Sequence, residues 1–373
     1  MSISASDLGD LITTTQRELG ELKYTDLSTD VQFYTALSRL FQESQVSYEA
    51  GPSIQWNLMT SNSGAAHQTG LFAVDNINIS DVMATADIPW KHTTVNYAIE
   101  RREIAMNRDP RRIVDLVKVR RNDAMISLTD HLEGQFWGKP ANDASLDMNG
   151  VDYWISDNNN ASPAANAGTF GFNGGVPAGF TTVAGINPTD VPRWQNGLGY
   201  FKSADVTNPV GQMIDSNPSG LPNDIGIAKV MKEAYVKCDF KPIPKAPYPS
   251  YNGTPDKWGI YCNYETYSGL EVMASRLNDK IVSSDVASDA GAISFRGVPI
   301  TYVPKLDAVT VPKVYMLQWG AFRSVLLSGE YMKETGPDTA PNQHTVFTTH
   351  VDCTMNMQCV DRRRNAILIG NAS

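Results

Sequence analysis

Asp109-Pro110-Arg111-Arg112-Ile113-Val114-Asp115-Leu116-Val117 opens a stretch that closes at Phe136-Trp137-Gly138-Lys139-Pro140. Aspartate caps the orphan N–H groups of a first turn, and proline fits the first helical position. Ile113, Leu116, Val117, Ala124, Leu128, Leu132 and Phe136 then keep a period of 3.6. Gly138 and Pro140 supply the stop. The pattern predicts one helix over 110–137, about 42 Å long at 1.5 Å per residue. Helices usually have three or four turns, so this one is expected to act as a rigid rod across a subunit.

Upstream the period changes from 3.6 to two. Ile54, Trp56 and Leu58 alternate with Ser53, Gln55 and Asn57. A polar tip follows from Ser61 to Gly70, and a return arm runs from Trp90 through Val95, Tyr97 and Ile99. This reads as a long β-hairpin over 51–100 with an irregular outer part. A hairpin of this length is not stable alone, so it needs a neighbouring surface, in this chain or in another copy. Before it, two apolar patches suggest short helices: Leu8, Leu11, Ile12, Leu19 and Leu22, then Phe33, Leu37, Leu40 and Phe41. Neither can form a core by itself.

Downstream of the long helix, residues 153–189 carry a single charged residue, Asp157, amid Asn, Gly, Ala and Pro. They read as ordered loop or short strands on a surface. Two helices are expected after Pro222, one through Ile225, Ala228, Met231 and Tyr235, the other through Tyr267, Leu270, Met273, Ala274 and Leu277. Strands are expected at 298–303 and 314–319. Val351, Cys353, Met355, Met357 and Cys359 alternate with polar residues, a half-buried strand. Arg362-Arg363-Arg364 and the apolar run Ala366-Ile367-Leu368-Ile369 follow. The order predicts an α+β fold in which a middle lobe is inserted between the long helix and the last strands.

Composition narrows the function. The 373 residues are 42% hydrophobic and 19% charged, with a net charge of −9. That excludes wholesale disorder, and the acidic balance disfavours a general nucleic-acid binder. Four cysteines exclude a disulfide scaffold. Cys353 and Cys359 lie six residues apart on one strand, about 20 Å, too far to bridge. There is no run of about 18 apolar residues to cross a membrane. The first residues lack a basic region followed by an apolar stretch, so no secretory signal is expected. The five histidines form no zinc motif, and neither a GxSxG elbow nor a phosphate-binding glycine motif occurs. No catalytic residue, metal or cofactor is expected.

One charge feature departs from the whole-chain sum. Arg101, Arg102, Arg108, Arg111, Arg112, Lys118, Arg120 and Arg121 face only Glu103, Asp109 and Asp115 in their stretch. They can pair within the chain, pair with the acidic remainder of a second copy, or touch nucleic-acid phosphates without sequence preference.

This order of elements resembles the major capsid proteins of tailed bacteriophages, the Hong Kong 97 capsid fold. The resemblance spans nearly the whole chain and is architectural. It rests on the hairpin leading to Ile88-Pro89-Trp90-Lys91, on Asn107-Arg108-Asp109-Pro110 and the long helix, and on Phe295-Arg296-Gly297-Val298-Pro299-Ile300. It rests also on Val314-Tyr315-Met316-Leu317 through Gly329-Glu330-Tyr331-Met332, and on Cys359-Val360-Asp361-Arg362-Arg363-Arg364.

The resemblance implies an N-terminal arm (1–50), an extended loop over a neighbouring subunit (51–100), a peripheral domain with a spine helix (101–138), an axial domain (139–320), and return strands of the peripheral domain (321–373). It implies a non-catalytic protein that self-assembles into the icosahedral head around phage double-stranded DNA. Trp56, Leu58, Trp90, Tyr97, Arg101, Arg102, Arg108, Arg111 and Arg112 would lie at inter-subunit interfaces, with Lys118, Arg120 and Arg121 facing DNA. Partners would be further copies in hexamers and pentamers, a scaffolding protein, a portal protein, a decoration protein and the packaged DNA, in a virion assembled in the host cytoplasm. The charged helical prefix of many relatives is missing, which implies a separate scaffold or a mature form. The hairpin tip has no lysine for a covalent crosslink, Lys91 being the only lysine in 51–100. The alternatives are an encapsulin-like nanocompartment shell and an α+β hydrolase.

Overall fold

The computed structural model describes residues 34–41, 46–61, 67–69, 82–106, 110–157, 170–202, 227–238, 258–277, 293–308, 311–339 and 343–371, with side chains except at 104–106, 110–116 and 272–277. The apolar patch from Leu8 to Leu22, the Asp109 cap, and most of the hairpin tip lie outside these residues.

The strands are β1 (Val46–Glu49), β2 (Ile54–Met59), β3 (Met83–Ile88), β4 (Lys91–Glu100), β5 (Phe170–Gly171), β6 (Gly197–Lys202), β7 (Trp258–Cys262), β8 (Ser294–Phe295), β9 (Val298–Tyr302), β10 (Lys313–Gln318), β11 (Phe322–Leu327), β12 (Lys333–Thr339), β13 (Val346–Cys359) and β14 (Ala366–Asn371). The helices are α1 (Thr35–Leu40), α2 (Arg101–Met106), α3 (Pro110–Trp137), α4 (Val151–Trp154), α5 (Ile227–Lys237) and α6 (Tyr264–Leu277).

α3 is the rod expected from its pattern, 28 residues long. Ala124, Leu128, Leu132 and Phe136, four apart, are buried, because residues at that spacing share one face. The helix stops where the Gly138 N–H turns back to Gly134 O at 3.1 Å and Gln135 O at 3.2 Å. α5 buries Ile227, Val230, Met231, Ala234 and Tyr235, the spacing of an amphipathic face.

β13 organises the first sheet. Its first ten residues pair antiparallel with β4 on one side. On the other side it pairs with β12 and then β11, and β1 adds parallel to β11. The hairpin expected from the sequence is corrected here. β2 pairs with β3, Ile54 opposite Ile88, whereas Lys91–Glu100 forms β4 and pairs with β13. Pro89 and Trp90 separate the hairpin's return arm, β3, from β4. β13 also departs from the half-buried reading. Its last seven residues are buried on both faces, because Asn356 accepts from the Asn149 N–H at 3.1 Å and donates to Pro89 O at 2.8 Å, covering the polar side.

The second sheet has the order β5-β6-β14-β10-β7-β9-β8. Alternate side chains enter two different cores. Tyr315, Leu317, Ile367, Ile369 and Tyr261 join a core with Trp137, Trp154 and Trp319. Val314, Met316, Leu368, Ile260 and Cys262 join a second core with Phe201 and α5. Burial on both faces explains why Ala366 to Ile369 is a continuous apolar run rather than an alternation. Gly199 permits α5 to sit close: a Cβ there would meet Val230 Cγ1 at 2.4 Å. β8 and β9 are joined through Arg296 and Gly297, both at positive φ (51° and 83°), the conformation that a tight two-residue hairpin needs.

Two further expectations are adjusted. β14 lies in this second sheet, so the sheets do not follow a division at residue 321. Within 153–189 the described part is not a surface loop throughout: Ser156, Val183, Ala184 and Ile186 are buried and cap the first core.

Candidate functional site

The hairpin β2–β3 has two unlike faces. Ile54, Ala86 and Ile88 are buried, and Trp56, Leu58 and Ala84 pack partly against the chain's own core. Trp56 lies 6.1 Å from Trp154, ring centre to ring centre. Trp90 and Tyr97 also touch this core, and Trp90 Nε1 donates to Gly51 O at 2.9 Å. The four apolar residues expected at an interface thus fill their own subunit first and leave only their remaining surface outward. The opposite face ends in Met59 and Met83, direct cross-strand partners that are 71% and 59% exposed. They put apolar surface at the outer described end of the two-stranded ribbon.

The basic stretch divides into three groups. Arg120 forms a two-pronged pair with Glu103 at 2.8 and 2.9 Å and donates to Ala98 O at 2.9 Å. Arg121 Nε donates to Glu334 at 2.7 Å. Hydrogen bonding to Glu334 raises the Arg121 pKa above its ordinary value. These two guanidiniums tie α3 to β4 and β12, the within-chain pairing that the sequence left open. Arg101, Arg102 and Lys118 are exposed, Arg102 at 3.8 Å from Glu100. The side chains of Arg108, Arg111 and Arg112 lie outside the described residues.

β4 has an outward edge. The Arg101 N–H reaches Thr345 O at 2.7 Å, which sets the pairing so that even-numbered residues of β4 turn their backbone groups away from β13. Ala98 O is taken by Arg120. The remaining edge borders a hollow of about 370 Å³ between β4, α3 and the 146–148 loop, lined in part by His92, His131 and Asp147. Lys91 closes the nearby floor by donating to Ser145 O, and burial lowers its pKa.

Two buried ionic groups join distant segments. Arg362 is fully buried and donates to Trp154 O (2.6 Å), Trp194 O (2.9 Å), Gly175 O (3.1 Å), Asn196 Oδ1 (2.9 Å) and Ser156 Oγ (3.2 Å). Burial lowers its pKa to about 10. Glu133 on α3 accepts from the Ala36 and Leu37 N–H groups at 3.0 and 2.9 Å and from Trp137 Nε1 at 2.8 Å, so it caps α1 from across the chain. Neither was singled out from the sequence as a site. Glu133 could have been noticed as a carboxylate one turn before Trp137 on the buried side of α3. Nothing in the run Arg362-Arg363-Arg364 marks which arginine goes inward.

Among the described residues no three His, Cys, Asp or Glu side chains converge as a metal site, and no helix is long and apolar enough to cross a membrane. All four cysteines are buried thiols.

A long helix laid against a sheet built on a long strand, a projecting hairpin and a second mixed sheet can be compared with known structures. The capsid asymmetric unit of cyanophage A-1(L) matches 96% of this chain and 98% of its own, with a TM-score of 0.59 at 14% identity. The chain has the Hong Kong 97 capsid fold. The capsid of a native GTA particle gives a TM-score of 0.53 at 11% identity over the whole of both chains. No family model matches the sequence, and no curated protein does. The likeness is thus carried by the path of the chain and not by shared residues, as expected where the fold needs only apolar spacing and turn chemistry. The fold thus described comprises one long helix, two sheets and a projecting two-stranded ribbon.

Proposed function

We propose that this chain is the major capsid protein of a tailed phage, whose copies close into an icosahedral head around double-stranded DNA. The observation that carries the reading is the end-to-end correspondence with a phage capsid chain, 96% against 98%. In this reading residues 1–50 are the arm and 51–100 the extended loop. Residues 101–138 with β11, β12 and β13 form the peripheral domain, and 139–320 joined by β14 the axial domain that meets its copies at fivefold and sixfold centres. Met59 and Met83, the outward remainders of Trp56, Leu58, Trp90 and Tyr97, and the exposed Arg101 and Arg102 contact neighbouring copies. Such repeated contacts are quasi-equivalent rather than simply cyclic, and their combined area is the source of shell stability. Scaffolding, portal and decoration proteins are the expected partners, and the role is structural rather than catalytic.

The test is coexpression with the neighbouring phage genes, followed by nuclease treatment and sedimentation. Fast-sedimenting particles that protect double-stranded DNA support the reading. Particles that enclose protein and no DNA overturn the genome-enclosing part of it.

A further inference from the structure

Two short 3₁₀ turns, Pro192–Trp194 and Arg362–Arg364, lie side by side because Arg362 Nη1 donates to Trp194 O at 2.9 Å. The remaining donors of the same buried guanidinium hold Trp154, Gly175, Asn196 and Ser156, so neither turn can shift alone. Next to this anchor the chain places Arg193, Arg363 and Arg364. With Lys237, Phe172 and Asp361 they line a hollow of about 420 Å³. A second hollow of about 210 Å³ adjoins it, sharing Arg193, Asp361 and Arg363, and runs towards Met59 and Thr60. The two together form a trough.

The charges in the trough are not balanced. Asp361 is engaged as the cap of its own turn, accepting from the Arg363 N–H at 3.1 Å. Its carboxylate lies 3.6 Å from Arg363 Nε and 3.6 Å from Arg364 Nε, too far for a hydrogen bond. Lys237 is held by Glu233 at 3.1 Å and by Phe170 O at 3.0 Å. Arg193 is exposed and makes no hydrogen bond or ion pair among the described residues. Among the described residues that line both hollows, Arg193 and Arg363 therefore face the single carboxylate of Asp361, on a chain whose net charge is −9. A surplus of this sign is an electrostatic footprint for an anion.

The donor geometry narrows the anion. Arg193 and Arg363 present planar forks whose N–H groups outnumber what one carboxylate can accept, and phosphate oxygens match such forks. Two adjoining hollows sharing the same cations suit a linear polyanion rather than one compact ion. We propose that the trough is a phosphate-binding site that takes successive phosphates of a nucleic-acid backbone, without reading its sequence. Phe172, half-buried at the wall, offers an apolar surface to a sugar or base. This moves the nucleic-acid contact away from Arg120 and Arg121, which are spent on Glu103 and Glu334. The inference stands on the trough alone and not on shell formation.

The experiment uses the unassembled full-length chain and a fluorescein-labelled DNA duplex, with anisotropy read across a salt series. Wild type is expected to bind at low salt. Arg193→Gln with Arg363→Gln should weaken binding at least tenfold and lower the slope of log K against log salt by about 2, one for each lost phosphate contact. Lys118→Gln, an exposed cation elsewhere, should change neither. Arg193→Gln alone should give part of the loss, which keeps the test valid if the double variant does not fold. Inorganic phosphate should displace the duplex. Three results overturn the proposal: equal binding by wild type and the double variant, no DNA binding although phosphate alone binds, or displacement by polyglutamate more readily than by phosphate. Because particles are scored separately by microscopy, failure here leaves the shell reading standing.

Discussion

Arg362 Nε donates to the carbonyl of Trp154 at 2.6 Å, across 208 residues of chain. The bond joins the turn between β13 and β14 to the segment after α3, and so links the first sheet to the second. Among the described residues this buried guanidinium meets no carboxylate; five neutral oxygens satisfy it instead. Replacing it with methionine removes the donors and orphans those oxygens, a loss of about 3 kcal/mol or more. Lysine, with one compact head, should restore little of it. Thermal unfolding of both variants checks this, and a lysine variant as stable as wild type would contradict the geometry.

Glu133 caps α1 through the Ala36 and Leu37 N–H groups and also accepts from Trp137 Nε1 on its own helix. Glu133→Ala should cost about 1–3 kcal/mol through the lost hydrogen bonds to charged oxygen. The loss should be local, and hydrogen exchange at the amides of Ala36 and Leu37 is the readout. Unchanged protection at both would show that α1 is held by packing alone.

The hairpin separates folding from association. Trp56→Ala removes a ring packed against Trp154 and should destabilise the subunit itself by about 3 kcal/mol. Met59→Ser with Met83→Ser removes exposed side chains, so subunit melting should hold within about 0.5 kcal/mol while particle yield falls. If the double serine variant assembles as wild type does, the exposed pair is not a contact between copies.

Burial pushes the Cys238 and Cys262 thiols up to about 12 and Cys353 up to about 11, from an ordinary 9.0. The thiolate is the disfavoured form in the folded chain. Stability from these groups is complete below pH 9, where both states hold the proton, and is lost as pH rises through 9 to about 12 while the unfolded chain ionises. Each thiol removes about 1.4 kcal/mol per pH unit in that window. Melting temperature should be level from pH 7 to 8.5 and fall steeply beyond 9. The thiols should also resist modification at pH 8 until the chain unfolds.

Much of the architecture was legible in residue spacing. α3 was readable from Pro110 to Gly138 because its period, its first proline and its terminal glycine all agree. The strands β10 and β14 were readable as short apolar runs. Pairing was not. The alternation of β2 and of β4 looks alike, and only the chain's path decides that β2 meets β3 while β4 meets β13. The polar side of β13 reads as solvent-facing until Asn356 is seen to be covered by Asn149 and Pro89. The basic stretch was visible as charge, but whether Arg120 met Glu103, a second copy or DNA depended on three dimensions. The trough was invisible, since Arg193 and Arg363 are 170 residues apart in sequence.

The central claim is that copies of this chain close into a shell. Electron microscopy of the chain, expressed alone and together with the genes adjacent to its own, tests it most directly. Closed particles with fivefold and sixfold clusters of subunits are predicted. A uniform population at the 40.9 kDa of one chain, or at a small oligomer, under both conditions would contradict it.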